Sequence, residues 1–271
     1  MDEELVIAPG DVGSAEGAVI VDCRFSLADP EEGRRLYESG HIPGAHYLDL
    51  NRDLSATPGE HGGRHPLPEP ATFAATLAAL GIGKDTAVIA YDDSRFAFAA
   101  RLWWMMRSLG YRSPRLLDGG YAAYIDAGGA AEQAVPQPAP CAPAAVTTYR
   151  GCLDIDGVRA AQGSGALLVD AREARRYDGL EEPIDPVAGH IPGALNLPWQ
   201  GVTDDGGHLL DAALQRQRWG KLATVDDLVV YCGSGVTACV NLLSLAQLGR
   251  DDARLYAGSW SDWCSHEADT P

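Results

Sequence analysis

A cysteine followed only by small residues, β-branched residues and glycine offers nucleophilic sulfur chemistry at Cys232-Gly233-Ser234-Gly235-Val236-Thr237-Ala238. The apolar run Asp227-Leu228-Val229-Val230-Tyr231 before it reads as a buried strand. The stretch after it, Ala238 to Ala246, reads as a helix. The cysteine therefore stands where a strand ends and a glycine-containing turn enters a helix. Such a turn can aim several backbone N–H groups at one point, here those of Gly233, Ser234, Gly235, Val236 and Thr237. The helix N-terminus adds partial positive charge there. That setting stabilises a thiolate and makes Cys232 a nucleophile without a metal or an organic cofactor.

The elements that must hold this loop repeat along the chain. Ala18-Val19-Ile20-Val21-Asp22-Cys23-Arg24 returns as Ala166-Leu167-Leu168-Val169-Asp170-Ala171-Arg172, 148 residues on. Gly40-His41-Ile42-Pro43-Gly44-Ala45 returns as Gly189-His190-Ile191-Pro192-Gly193-Ala194, at an offset of 149. Val88 to Asp92 matches Leu228 to Cys232 at 140, and Leu117 to Tyr121 matches Tyr256 to Trp260 at 139. Four blocks in one order with little drift indicate two copies of one domain, not a solenoid of short repeats. Strand-like runs fall at 18–22, 86–91 and 115–118, then at 166–170, 227–231 and 253–257. Helical patterns fall near 71–81, 96–109, 210–221 and 237–248. This alternation predicts α/β domains, each with a mainly parallel sheet flanked by helices. Reactive groups then belong at the carboxyl ends of strands, where Cys232 falls. The expected division is residues 1–130, a Pro/Ala-rich connector at 131–147 and residues 148–271. Between Ala134 and Ala144 there are four prolines in eleven residues, which forbids a helix.

Composition narrows the partners. The chain has 271 residues, 46% of them hydrophobic, and a formal net charge of −17. An acidic surface repels nucleic acid and anionic membrane, so neither is expected as a partner. No apolar run is long enough for a membrane span. The acidic N-terminus lacks the basic start and apolar centre of a signal peptide, so a cytoplasmic location is expected. Six cysteines without Cys-x-x-Cys or zinc-type spacing fit free thiols in a reducing compartment.

Together these motifs resemble the rhodanese sulfurtransferase family in its tandem-domain form. The carrying residues are Asp22-Cys23-Arg24, both His-Ile-Pro-Gly-Ala segments, Tyr91-Asp92, Tyr177, Glu182-Pro183, the Cys232 loop and Gly258-Ser259-Trp260. The resemblance implies two rhodanese-like domains, of which only the second is catalytic. Asp92 stands at the position equivalent to Cys232, and a carboxylate there cannot accept sulfur. The implied reaction has two steps. Cys232 takes the outer sulfur of a small-molecule donor as a persulfide, and a thiol, cyanide or thioredoxin-like acceptor then removes it.

The resemblance also bears on the donor. Cys-Gly-Ser-Gly-Val-Thr resembles the loops of 3-mercaptopyruvate sulfurtransferases, whereas thiosulfate-preferring loops carry basic residues after the cysteine. Departing sulfite benefits from nearby cations, while a pyruvate enolate needs a proton and a clamp for its carboxylate. The loop therefore favours mercaptopyruvate, with a thiosulfate-preferring rhodanese as the alternative. Arg176 matches the family's substrate-binding arginine, with Arg175 as a second candidate; a guanidinium fork suits a carboxylate or an oxyanion. No arginine occupies the Ile184-Asp185 segment, and Asp185 is expected to repel an anion. His65 matches a histidine that works with the loop serine, here Ser234, and an aspartate as a proton relay. Asn51 replaces that aspartate, with Asp49 and Asp53 close by.

Other readings make distinct demands. His41 and His190, and the pairs Asp22/Arg24 and Asp170/Arg172, occur in both copies and are expected to serve the fold. Cys239 is expected to pack in the core. A cysteine-dependent phosphatase needs an arginine six residues after its cysteine, and that position is Ala238. A non-catalytic sulfur carrier or regulatory module would show no turnover.

Overall fold

The computed structural model describes residues 4–267 as two compact units. Unit 1 comprises residues up to Ala56, Pro68–Arg150 and Thr203–Leu209; unit 2 comprises Thr57–Leu67, Gly151–Val202 and Leu210 onwards. The chain therefore contributes 57–67, which lies inside the first sequence copy, to unit 2.

Unit 1 contains strands β1 (Val6–Ile7), β2 (Val19–Asp22), β3 (His46–Tyr47), β4 (Val88–Tyr91) and β5 (Arg115–Leu117). Its helices are α1 (Glu32–Ser39), α2 (Pro70–Ala79), α3 (Ala99–Ser108) and α4 (Gly120–Asp126). Unit 2 contains β6 (Cys152–Leu153), β7 (Leu167–Asp170), β8 (Leu195–Asn196), β9 (Leu228–Tyr231) and β10 (Arg254–Tyr256). Its helices are α5 (Ile155–Gly163), α6 (Ala174–Tyr177), α7 (Ala212–Trp219), α8 (Ala238–Gln247) and α9 (Ser259–Glu267). The sheet orders are β1-β5-β4-β2-β3 and β6-β10-β9-β7-β8, and every pairing is parallel.

The central strands β4 and β9 are buried at all four positions. A parallel strand covered by helices on both faces must read as a continuous apolar run, and Val88-Ile89-Ala90-Tyr91 and Leu228-Val229-Val230-Tyr231 do. In unit 2, Val229, Tyr231 and Tyr256 pack with Trp260, Trp263, Leu168 and Ile191 in one core cluster. Helix α8 is buried from Ala238 through Leu245, so its sequence carries no charge. After β7 the chain moves to β8 on one side of the sheet, and after β9 to β10 on the other. The carboxyl ends of β7 and β9 therefore flank a topological switch point, where ligands of open α/β sheets bind.

The duplicated motifs do the same work in both units. Arg24 Nη2 donates to Asp22 Oδ2 at 2.6 Å and to the Gly40 carbonyl at 2.7 Å. Arg172 Nη2 donates to Asp170 Oδ2 at 2.6 Å and to the Gly189 carbonyl at 2.7 Å. Each buried arginine thus ties a strand end to the turn that opens His-Ile-Pro-Gly-Ala. The Ile42 and Ile191 amides donate to Tyr91 and Tyr231 hydroxyls. His41 stacks on Tyr37 and His190 on Tyr177, with each Nδ1 bonded to that tyrosine's carbonyl. The 131–147 stretch forms no helix, and its only strand-like feature is a bridge from Glu132 to His41. Among the described residues, no helix is long and apolar enough to cross a membrane.

Candidate active site

Cys232 is the first residue beyond β9 and is 2% exposed. Its amide donates to Ser259 Oγ at 3.1 Å, and its carbonyl accepts from Trp260 at 3.0 Å. The Gly233 carbonyl accepts from Ser261 at 2.9 Å. The start of α9 thus fixes the first two peptides of the loop. Gly235 then turns the chain with φ of 73°. A methyl there would stand 2.2 Å from the Ala257 carbonyl oxygen, so conformation and space both require glycine. Among the described residues, the amides of Gly233, Ser234, Val236 and Thr237 have no protein acceptor.

The equivalent loop of unit 1 shows where such amides aim. Arg95 has φ of 58° at the position matching Gly235, and Tyr121 donates to the Asp92 carbonyl as Trp260 does to that of Cys232. There the Asp92 carboxylate accepts four main-chain bonds, from Ser94 at 2.7 Å, Phe96 at 3.1 Å, Phe98 at 2.9 Å and Ala99 at 2.8 Å. The side chain at the strand end is the focus of the loop's N–H groups. Asp92 fills that focus with its own carboxylate, and Cys232 stands at the matching strand end. Burial still outweighs those bonds and raises the Asp92 carboxyl above the usual range.

Two guanidiniums converge beside Cys232. A methyl on Gly233 would stand 3.0 Å from Arg64 Nη2 and 3.4 Å from Arg176 Nη1. Both belong to a ladder of alternating charge that starts at the Asp170/Arg172 pair. Arg172 Nη1 donates to Glu182 Oε2 at 3.1 Å, and Arg176 Nη2 to Glu182 Oε1 at 2.7 Å. Arg176 Nη2 also reaches Asp185 Oδ2 at 3.1 Å, and Asp185 Oδ1 pairs with Arg64. Three arginines meet three carboxylates, so the ladder is neutral as a whole. Among the described residues, Nη1 of Arg176 and Nη2 of Arg64 have no acceptor. Burial, and then the like charge of Arg176, holds Arg64 below the usual guanidinium value, although it stays cationic.

His65 Nδ1 lies 2.7 Å from Ser234 Oγ, and both residues are buried. They lie in unit 2 because the segment 57–67 packs there. The Arg64 amide donates to Ser261 Oγ at 3.1 Å, and the Gly62 amide to Asp262 Oδ1 at 2.7 Å. A methyl on Gly63 would stand 2.4 Å from the Gly258 carbonyl oxygen. These contacts lay the segment against α9 and bring Arg64 and His65 to the loop.

Of the expected residues, Cys232, Gly233, Ser234, Gly235, Val236, Thr237, Arg176 and His65 fall in one region of unit 2. Arg175 does not join them: its side chain is 70% exposed and pairs with Glu181. Asp185, expected to repel an anion, has its charge engaged by Arg64 and Arg176. The near-lying aspartates of the relay are occupied locally, since Asp49 Oδ1 accepts from the Asn51 and Arg52 amides and Asp53 Oδ2 from that of Asp49. Cys239 Sγ points at the Gly235 carbonyl, 3.5 Å away, from inside α8. Arg64 and the bridging role of Glu182 were not found in the sequence. The only signal for Arg64 was its place beside His65.

Known proteins resemble this chain over most of its length. A family model described as Rhodanese-like domain matches residues 11–127 and 155–266. The chain is 46% identical over 252 residues to a probable 3-mercaptopyruvate sulfurtransferase of Pseudomonas aeruginosa, with 90% of this chain and 88% of the relative covered. It is 39% identical over 266 residues to a putative thiosulfate sulfurtransferase, SseB, of Mycobacterium tuberculosis, covering 94% of this chain and 91% of that one. The fold is similar to that of the 3-mercaptopyruvate sulfurtransferase from Leishmania major, with a TM-score of 0.87, 32% identity and coverage of 98% of this chain and 75% of that one.

Proposed function

The chain belongs to the rhodanese family of sulfurtransferases, and from that premise we propose that it carries sulfur from 3-mercaptopyruvate to a soft nucleophile through a persulfide on Cys232. In the first step the Cys232 thiolate attacks the donor's sulfur. The carbon–sulfur bond breaks, and its electron pair passes into the pyruvate enolate, which takes up a proton. In the second step a thiol, cyanide or a thioredoxin-like dithiol attacks the outer sulfur. The sulfur–sulfur bond breaks and the thiolate returns. The loop amides hold the anionic sulfur in both resting forms. Arg176 and Arg64 hold the donor's carboxylate through the two N–H edges that face Gly233. The six thiols, none of them in a disulfide among the described residues, suit a reducing cytoplasm.

The observation that carries this reading is the 2.7 Å contact between Ser234 Oγ and His65 Nδ1 beside the cysteine. A departing enolate needs a proton and sulfite does not, so a hydroxyl–imidazole pair serves the first donor and is idle with the second. Thiosulfate remains the second reading for a specific reason. The loop itself carries no cation, but Arg64 and Arg176 bring two to it, and departing sulfite would use them.

The test has two parts. Treatment with mercaptopyruvate is expected to add one sulfur atom to the intact mass of the wild type and none to Cys232→Ser. Ser234→Ala is then expected to lower kcat/KM for mercaptopyruvate by about 10²-fold and to leave that for thiosulfate within about threefold. Equal losses with both donors would remove the proton-relay role, and an unlabelled wild type would remove the persulfide.

A further inference from the structure

Away from Cys232, three potential metal ligands meet on the other end of the segment that carries Arg64 and His65. We propose that His61, Asp262 and His266 form a binding site for a late first-row divalent cation, with Zn2+ as the type case. One ligand atom from each residue lies within 4.8 Å of the other two. Asp262 and His266 stand one turn apart on α9, with His266 Nε2 3.3 Å from Asp262 Oδ1. The His61 and His266 rings stack at 4.0 Å with 12° between their planes.

The surrounding groups are arranged as the outer shell of such a site requires. Ser265 Oγ donates to the Asp262 carbonyl at 2.7 Å, so its oxygen is left to accept from His61 Nδ1, 2.8 Å away. That bond places the proton of the neutral ring on Nδ1 and leaves a lone pair on Nε2. A ligating histidine needs its second nitrogen engaged in this way. Asp262 is buried and oriented by two donors, the Gly62 amide at 2.7 Å and the Tyr256 hydroxyl at 2.7 Å. Two imidazoles and one carboxylate suit zinc and its neighbours in preference to magnesium or calcium, which take all-oxygen sites. Three protein ligands also leave a position open to water. Tetrahedral bonds of roughly 2.0–2.2 Å put ligand atoms about 3.4 Å apart. Because the two rings stack nearly parallel, the exposed His61 ring or the half-buried His266 ring must turn well out of that stack for both lone pairs to face one ion. The bound ion would fasten the 57–67 segment to α9 at a point three residues before Arg64.

The experiment uses the full chain without a histidine tag, as wild type, His61→Ala, His266→Ala and Cys232→Ser. Asp262 is left intact because it also holds Gly62 and Tyr256. Co2+ is titrated and followed by its visible d–d bands, and Zn2+ is followed by equilibrium dialysis and thermal unfolding. The wild type and Cys232→Ser are expected to bind one equivalent, without the intense charge-transfer band of a thiolate ligand. Zn2+ is expected to raise their Tm, since a ligand of the native state stabilises it by mass action. Each histidine variant, with its metal-free Tm within a few degrees of wild type, is expected to bind at least about 100-fold more weakly. Absence of stoichiometric binding, equal affinity in the histidine variants, or loss of the bound ion in Cys232→Ser would each overturn the site.

Discussion

At the scale of single residues, Gly233 is more informative than the cysteine it follows. Its φ is not in the left-handed region, so alanine is sterically possible for the backbone. A methyl there would press on the Arg64 guanidinium at 3.0 Å and touch that of Arg176 at an ordinary contact distance of 3.4 Å. Gly233→Ala is therefore expected to push the Arg64 edge outward by a few tenths of an ångström, with kcat/KM for mercaptopyruvate falling by up to about tenfold and Tm moving by only a few degrees. Arg64→Ala and Arg176→Ala should each cost about tenfold or more, the worth of a charge-assisted contact of roughly 1.5–3 kcal/mol. Steady-state kinetics on the three variants checks this. Kinetics unchanged in Arg64→Ala would leave Arg176 as the sole clamp. Arg176 was legible in the sequence because it follows a strand end in a recognisable run. Arg64 was not, since no periodicity or spacing tells that a loop arginine 168 residues before Cys232 folds back against it.

At the scale of elements, one strand–loop–helix occurs twice with opposite chemistry. The strands β4 and β9 and the helices α3 and α8 were legible as apolar runs of the right period. The two-residue strands β1, β3, β6 and β8 were not, because they are too short to carry an alternation. The short helix α6 escaped for the same reason. The Asp92 loop replaces a reactive sulfur by a fixed carboxylate on four amides. Burial raises the Asp92 carboxyl above its ordinary value. The native state therefore keeps its proton at pH values where the unfolded chain has already lost it. Stability from this group is fully present below the unfolded value and is lost as pH rises through the folded one. Asp92→Asn abolishes that dependence. The Tm of the wild type relative to Asp92→Asn is thus expected to be more favourable at pH 5 than at pH 8. A difference moving the other way would mean that the four N–H bonds outweigh burial.

At the scale of the whole molecule, the duplication was legible because its four blocks keep their order and nearly their spacing. The membership of residues 57–67 in unit 2 was not, because that segment has no counterpart motif and the main-chain bonds that lay it against α9, from the Gly62 and Arg64 amides, leave no pattern in the sequence. The net charge of −17 belongs to this scale too, and it opposes the reaction. Both donors are anions, and the charge ladder near Cys232 is neutral, so at short range the two free guanidinium edges and the loop amides attract them. Beyond a few ångströms the field of the chain repels them. Raising ionic strength from 0.01 to 0.15 M shortens the screening length from about 30 to about 8 Å. That removes long-range repulsion and leaves short buried contacts nearly intact. The kcat/KM for either donor is therefore expected to rise with salt across this range. The slope of its logarithm should be about twice as steep for dianionic thiosulfate as for monoanionic mercaptopyruvate, because the interaction scales with donor charge. Initial rates at substrate concentrations well below KM, in sodium chloride at fixed pH, measure both slopes. A fall with salt for both donors would mean that Arg64 and Arg176 govern the encounter at long range, and that the acidic surface plays no part in selecting what reaches Cys232.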